Sequence, residues 1–432
     1  MIPEPLKIPA FRAYWVARFA ATIAQMAMVI VIGWQVYDIA RDTMPVKEAA
    51  LRLGMIGLVQ FVPLFALSLV GGYTADRLDR RWIARGSVAL ELLCAVALAL
   101  LAANAARSLA AIYAIAALLG VARAFAGPAL SALAPNLVPR AILPKAIALS
   151  SIAWQVGNIV GPALGGYLYV LSPQAPYEVS AALFAVSLLG LMRVPPVART
   201  LIDRTTSPWA QAIDGLRYVR RNPLVLGALS LDLFAVLLGG ATAMLPVYAR
   251  DILHAGPEGL GHLRAAPAIG ATAMAMWFAV HPLKHDVGIK MLAAVVIFGA
   301  ATVVFGLSHS MALSLAALAI LGAADMLSVY VRQSLIQLHT PDAMRGRVAA
   351  VSTLFISASN ELGEAESGFL AALIGPVAAV VGGGIAAMLV TIAWARLFPA
   401  LRLARTFEPP NLGEPPNLGE PPNLEPTKET TR

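Results

Sequence analysis

Six acidic residues, Glu91, Asp232, Asp325, Glu361, Glu364 and Glu366, interrupt stretches that are otherwise apolar for about twenty residues at a time. Two arginines, Arg123 and Arg332, do the same. A charge inside hydrocarbon is expensive and tends to be functional. A carboxylate there suits one chemistry in particular: it can load a proton on one side and release it on the other. Helical phase sorts the candidates. At about 100° per residue, Ser357, Glu361, Glu364 and Gly368 form one stripe, and Glu366 lies on the opposite side. Two acids one turn apart repel if both are ionised, which makes Glu361 and Glu364 the leading proton-site pair. The alternative is capping or pairing with the Arg345 and Arg347 loop, with the stripe starting near that end of the helix. Asp325 and Arg332 are seven residues apart and share a face with Ser328 nearby. They are either coupling groups or a buried structural pair. Asp232 has no charged neighbour in its own run, so it must face a partner or a cavity. Arg123 is either functional or paired structurally to a carboxylate such as Glu91.

Other chemistries lack their residues. There is no Walker-type phosphate loop, so ATP does not drive this chain directly. No His, Cys and Asp group has metal-site spacing, and nothing resembles a hydrolase nucleophile. The expectation is no enzyme, no catalytic residue, no metal and no cofactor, with a proton gradient as the energy source.

The elements that must hold these charges are membrane helices. Of 432 residues, 59% are hydrophobic and only 13% charged, against about 25% charged in a soluble domain. A soluble fold of this size has too much surface relative to volume to hide that apolar area. Twelve runs are long enough to cross a bilayer: 13–37, 53–75, 82–103, 109–130, 146–171, 177–194, 224–249, 260–280, 291–308, 311–338, 348–374 and 377–398. They are Ala- and Leu-rich and lack period-two alternation, which argues against strands. The first is too long for a signal-peptide core and lacks a cleavage site. The lone Cys94 excludes an intrachain disulfide.

The net charge of +8 does not call for nucleic acid, because the Lys and Arg residues cluster in alternate short loops. Arg80, Arg81, Arg140, Arg217, Arg220, Arg345 and Arg347 fall on one side together with both termini. The positive-inside rule puts that side in the cytoplasm. The expected organisation is a six-helix bundle over 1–194, a cytoplasmic linker over 195–223, a second bundle over 224–400, and a tail over 401–432. Residues 208–220 of the linker suit an amphipathic helix. The tail repeats Glu-Pro-Pro-Asn-Leu-Gly, which has no core to bury and predicts an extended disordered segment. Two six-helix groups around a central linker suggest repeated bundles with a midplane cavity.

Three short motifs sharpen this. Gly72, Asp76, Arg77, Arg80 and Arg81 stand between the second and third runs. The pattern resembles the signature loop of the major facilitator superfamily, with Thr74 where Leu is usual and Asp79 where Gly is usual. The resemblance implies a latch in which Asp76 and its arginines lock the cytoplasmic side. Gly157, Gly161, Pro162, Gly165 and Gly166 in the fifth run resemble that superfamily's antiporter motif, which is associated with exporters. The glycines at i, i+4 and i+8 also let another helix approach to backbone contact. Arg123 with Gly127 resembles the superfamily's membrane Arg motif, with Ala126 in place of Gln.

The likeness narrows to the enterobactin-exporter branch, which includes the third family of drug:proton antiporters. It rests on Asp232, Gly239, Gly240, Pro246, Arg250, Asp251, Arg345, Arg347, Asn360, Glu361 and Glu364 in their local contexts. It runs from Phe11 to Phe398. The resemblance implies an all-α membrane protein of about twelve helices in the bacterial inner membrane. It implies a monomer exporting a small amphipathic molecule, siderophore-like or drug-like, by alternating access. The rival expectations are an importer or lysophospholipid flippase of the same fold, and a non-transporting receptor or scaffold.

Overall fold

A computed structural model describes residues 3–105, 107–196 and 208–407; the side chains of residues 69, 72, 73, 75–77, 132, 140, 208–212, 342 and 343 lie outside the description. The described residues form twelve long helices and no strand. We label them α1 (Pro9–Arg41), α2 (Val46–Arg77), α3 (Arg80–Ala103), α4 (Leu109–Leu133), α5 (Leu143–Leu171) and α6 (Ala175–Met192). After a linker helix (Pro208–Arg221) come α7 (Pro223–Leu238), α8 (Gly256–Val280), α9 (Val287–Leu307), α10 (Met311–Leu338), α11 (Asp342–Ile374) and α12 (Pro376–Leu397). The repeat tail lies outside the described residues.

Starts and stops follow local chemistry. Asp79 caps α3 by accepting from the Arg81 amide, Ser108 caps α4, and Asn222 caps α7 by accepting from the Leu224 and Val225 amides. Each satisfies amide donors that a helix end leaves without partners. Pro63, Pro128, Pro162 and Pro267 stand inside helices, as membrane helices tolerate. Large apolar side chains face outward all along the molecule, among them Leu93, Leu171, Val280, Leu389 and Leu397. That is the surface lipid requires. Among the described residues eleven helices are long and apolar enough to cross a membrane, counting the interrupted seventh as one. The exception is α11, which spans 33 residues but carries Glu361, Glu364 and Glu366.

The seventh run departs from its expected continuity. Helix α7 ends at Leu238, and Gly239–Gly240 lead into a 3-10 turn over Ala241–Met244, a short turn at Leu245–Val247 and a π-helical segment over Tyr248–Ile252. Pro246 has no amide to donate, and the two glycines hold the chain poorly in a helix. Two neighbours satisfy freed carbonyls: Ser367 donates to Gly240 at 3.3 Å and Arg264 to Thr242 at 3.4 Å.

Packing repeats with a period of six helices. In the first half, α1 packs on α5 and α6, α2 on α4, and α3 on α4 and α6. In the second, α7 packs on α11 and α12, α8 on α10, and α9 on α10 and α12. The halves meet along α2–α11 and along α5–α8, again the same pair under that shift. We call the end that holds the α2–α3 turn and the linker helix the basic end, and the other the far end.

Candidate functional site

Arg123 on α4 points across the seam between the halves. It pairs with Glu361 of α11 at 2.9 Å and donates to Gln60 Oε1 of α2 at 3.0 Å. The expected partner Glu91 is not the one used: Glu91 accepts instead from Gln25 of α1 at 2.6 Å. The physical reason is helix placement, because α2 and α11 pack tightly and bring Glu361 to α4. Gly57 of α2 makes this possible, since a Cβ there would lie 2.8 Å from both the Glu361 carbonyl and Glu364 Cβ. Gly54 and Gly368 meet even more closely, so the seam is built of glycine on both sides.

The acid stripe on α11 therefore faces the other half. Glu361 lies just past the middle of its helix, not near the Arg345 end. Pairing with that loop is ruled out for both acids in this structure. Arg345 donates to the Gln337 carbonyl and Arg347 to Asp214 of the linker helix. Glu364 sits beside Glu361, under the influence of Arg264 and Arg123.

A second arginine pair lies wholly within the second half. Arg332, 2% exposed, pairs with Asp232 of α7. Asp325 was the neighbour on its own face, yet it does not take the guanidinium. Facing α7 across the helix interface brings Asp232 closer to it than a residue two turns away on α10. Asp232 and Asp325 instead line a small cavity with Ser328 and Phe298, with room for about one water.

The far end holds a cluster that the sequence reading missed. Arg41 of α1 pairs with Asp251 at 3.0 Å, and Tyr37 donates a hydrogen bond to the same carboxylate. Arg250 pairs with Asp38 at 2.7 Å and reaches Asp42 at 3.7 Å. Arg107 joins from α4's approach, pairing with Asp42 and with Asp38. Residues 37–42 and 107 belong to the first half, and 250–251 to the second, so this is a charged bridge between halves. The π segment turns both Arg250 and Asp251 toward α1. The legible signal was acid and base at i, i+3 and i+4 on one helix end opposite an Arg-Asp dipeptide.

The motif residues fall in three places. The side chains of Gly72, Asp76 and Arg77 lie outside the described residues. Beside them Arg81 pairs with Asp79 at 2.6 Å and donates to the Val194 carbonyl, while Arg85 donates to Leu191. The Asp79 that departs from the superfamily pattern thus has a local task as cap and partner. The Arg81 hydrogen bond holds its carboxyl below the usual carboxylate range. Of the α5 glycines, Gly157, Gly161 and Gly165 back onto Thr22, Met26 and Ala27 of α1. Gly166 faces the other half: a Cβ there would lie 2.4 Å from the Pro257 carbonyl. Gly261 of α8 returns the contact against the Pro162 carbonyl at 2.8 Å. Gln155 adds a polar link between the halves, donating to Thr272 Oγ1 at 2.8 Å.

A family profile described as transmembrane secretion effector matches residues 3–415. The chain belongs to that family. Its sequence is 29% identical over 408 residues to the enterobactin exporter EntS of Citrobacter koseri, covering 93% of this chain and 94% of that protein. It is 28% identical over 407 residues to EntS of Escherichia coli, with the same coverage. Among solved structures the chain resembles the nucleoside transporter NupG, with a TM-score of 0.71 at 11% identity over 90% of this chain and 100% of that one. It also resembles a bacterial homologue of the human lysosomal transporter Spinster in an inward-facing, occupied state, with a TM-score of 0.68 at 14% identity over 92% and 96%. At such identity these two speak to fold alone. The fold is that of the major facilitator superfamily, and the sequence relatives found for this family are exporters of a small molecule.

Proposed function

We propose that this chain exports a small amphipathic organic molecule in exchange for protons, working as a monomer by alternating access in a bacterial inner membrane. In this reading the basic end faces the cytoplasm and the far end the periplasm, following the positive-inside rule. The observation that carries it is the Arg123–Glu361 pair, a charged contact at mid-depth between halves that must rock apart. A proton arriving on Glu361 cancels its attraction for Arg123, so proton loading is linked to separation of the halves. The far-end bridge of Arg41, Arg250 and Asp251 closes the periplasmic side, and the Gly72–Arg81 turn is its counterpart at the cytoplasmic side. Enterobactin is the named cargo of the relatives and is the first molecule to test. In everted vesicles, an outward-directed proton gradient, with the lumen acidic, should drive its uptake, as it should for a hydrophobic drug if the pocket is permissive. Uptake driven by a sodium gradient alone would exclude proton coupling. Accumulation in right-side-out vesicles only would reverse the direction.

A further inference from the structure

Among the acids that the pairings above leave without a cation, Glu91 is the most deeply buried. It is 1% exposed, and although Oε1 accepts from Gln25, Oε2 is buried without a hydrogen-bond partner. A buried carboxylate oxygen with no donor is costly, because it has given up water without gaining a partner. Such a group usually has a task in some other arrangement. The cation at hand is Arg123, on the next helix. Helices α3 and α4 pack together, and the Arg123 charge acts on Glu91 through space. Yet the guanidinium is engaged with Glu361 and Gln60. The Arg123 side chain is 38% exposed, so unlike Arg332 it has space in which to swing.

We infer that Glu91 is the second seat for the Arg123 guanidinium, which exchanges between Glu361 in one half and Glu91 in the other as the halves join and part. The inference rests on the transport reading and gives it a moving part. With α11 against α2, Arg123 ties the halves together. When α11 withdraws, Glu361 leaves, and a bare guanidinium at that depth is costly. Glu91 then receives it within the first half, and its orphaned oxygen gains a donor. The groups facing the exchange are Gln25 from α1, Gln60 from α2, Cys94 beside Glu91 on α3, and Glu361 with Glu364 from α11, with Arg264 of α8 acting on Glu364. The swing therefore chooses between the acids of two halves that one cation can serve only in turn. Gln25 holds Glu91 in place as a positioning residue, and its side chain remains on Oε1 in both arrangements.

Spin labels on Ala103→Cys and His309→Cys, exposed at the far end of either half, report how the halves stand in the full-length protein without substrate or gradient. Glu361→Gln should raise the ratio of parted to joined molecules about tenfold, the low end for a close charge pair. Adding Glu91→Gln should return the ratio to near wild type, because the alternative seat is gone, whereas adding Glu91→Asp should preserve the shift. An independent arm adds Arg123→Gln to Glu361→Gln, which should also cancel the shift. The exchange is overturned if Glu361→Gln leaves the distances unchanged, or if its shift survives either Glu91→Gln or Arg123→Gln. Since nothing is transported in this measurement, failure of export in vesicles would leave its outcome separate.

Discussion

The molecule contains two deep arginine–carboxylate pairs of the same chemistry in opposite settings. Arg332–Asp232 lies inside one half, with the arginine 2% exposed. Arg123–Glu361 crosses the seam, with the arginine 38% exposed. The first has no direction in which to open without taking its bundle apart. The second would open as the halves rock in the proposed cycle. On that reading placement, and not residue type, decides which pair holds the fold together and which takes part in the cycle.

The widest separation is expected on removing one partner of the inner pair. Arg332→Gln leaves Asp232 uncompensated beside Asp325 and should cost about 3–5 kcal/mol of stability. Monodisperse protein after detergent extraction, followed by thermal unfolding, measures it. The double variant Asp232→Asn with Arg332→Gln should regain most of that loss, since neither charge is then stranded. If Arg332→Gln folds like wild type and only flux falls, the comparison is wrong and the inner pair belongs to the cycle.

At the seam the balance should invert. Arg123→Gln should lower flux by about tenfold or more while the yield of folded protein stays near wild type, because Glu361, although buried, lies at a seam between the halves and can neutralise itself by taking up a proton. Flux in proteoliposomes set against a melting curve separates the two effects. Asp76→Asn should behave in the same way at the basic end, with turnover damaged and folding kept. Wild-type flux in that variant would remove the latch role from the α2–α3 turn.

These contrasts also mark what the sequence could disclose. The helices were legible because each crosses about 30 Å of hydrocarbon and so must run apolar for about twenty residues. The glycine face of α5 was legible as a close-packing surface, since phase alone puts Gly157, Gly161 and Gly165 on one line. Partners were not legible. Phase says which side of a helix a residue occupies, not which helix waits there, so Asp325 looked like the mate of Arg332 and Glu91 like that of Arg123. In both cases the partner came from a helix distant in sequence. The break at Gly239–Gly240 hid in a run whose length and overall apolarity suit one continuous span. The far-end bridge was not legible because Asp38, Arg41 and Asp42 stand more than two hundred residues from Arg250 and Asp251, and only the packing of the two halves brings them together.

That bridge supplies a smaller effect. Asp251→Asn weakens the Arg41 pair and the Tyr37 hydrogen bond while Arg250 keeps Asp38 and Asp42. Partly exposed ion pairs contribute about 1 kcal/mol or less, so the far-end distance distribution should shift toward the parted state by about threefold to fivefold. No shift would show that the far end is held by the apolar and glycine contacts of α2–α11 and α5–α8 alone.

The smallest effect belongs to Asp79, which lies at the basic end outside the membrane spans and ties only neighbouring residues together. Its carboxyl caps α3 and pairs with Arg81. Asp79→Ala should cost about 1 kcal/mol locally, and Asp79→Asn less, because the amide oxygen still accepts from the Arg81 backbone. The pairing lowers the acid's folded pKa, so its contribution is fully present above the unfolded value of about 4 and is lost as pH falls through the lower folded value. Hydrogen exchange at the Arg81 amide measures the opening directly, and Asp79→Ala should accelerate it by about fivefold at neutral pH. Asp79→Asn should erase the acid dependence while retaining most of the protection. An acid dependence that persists in Asp79→Asn would assign the titration to another carboxylate near the turn and would leave Asp79 as a cap only.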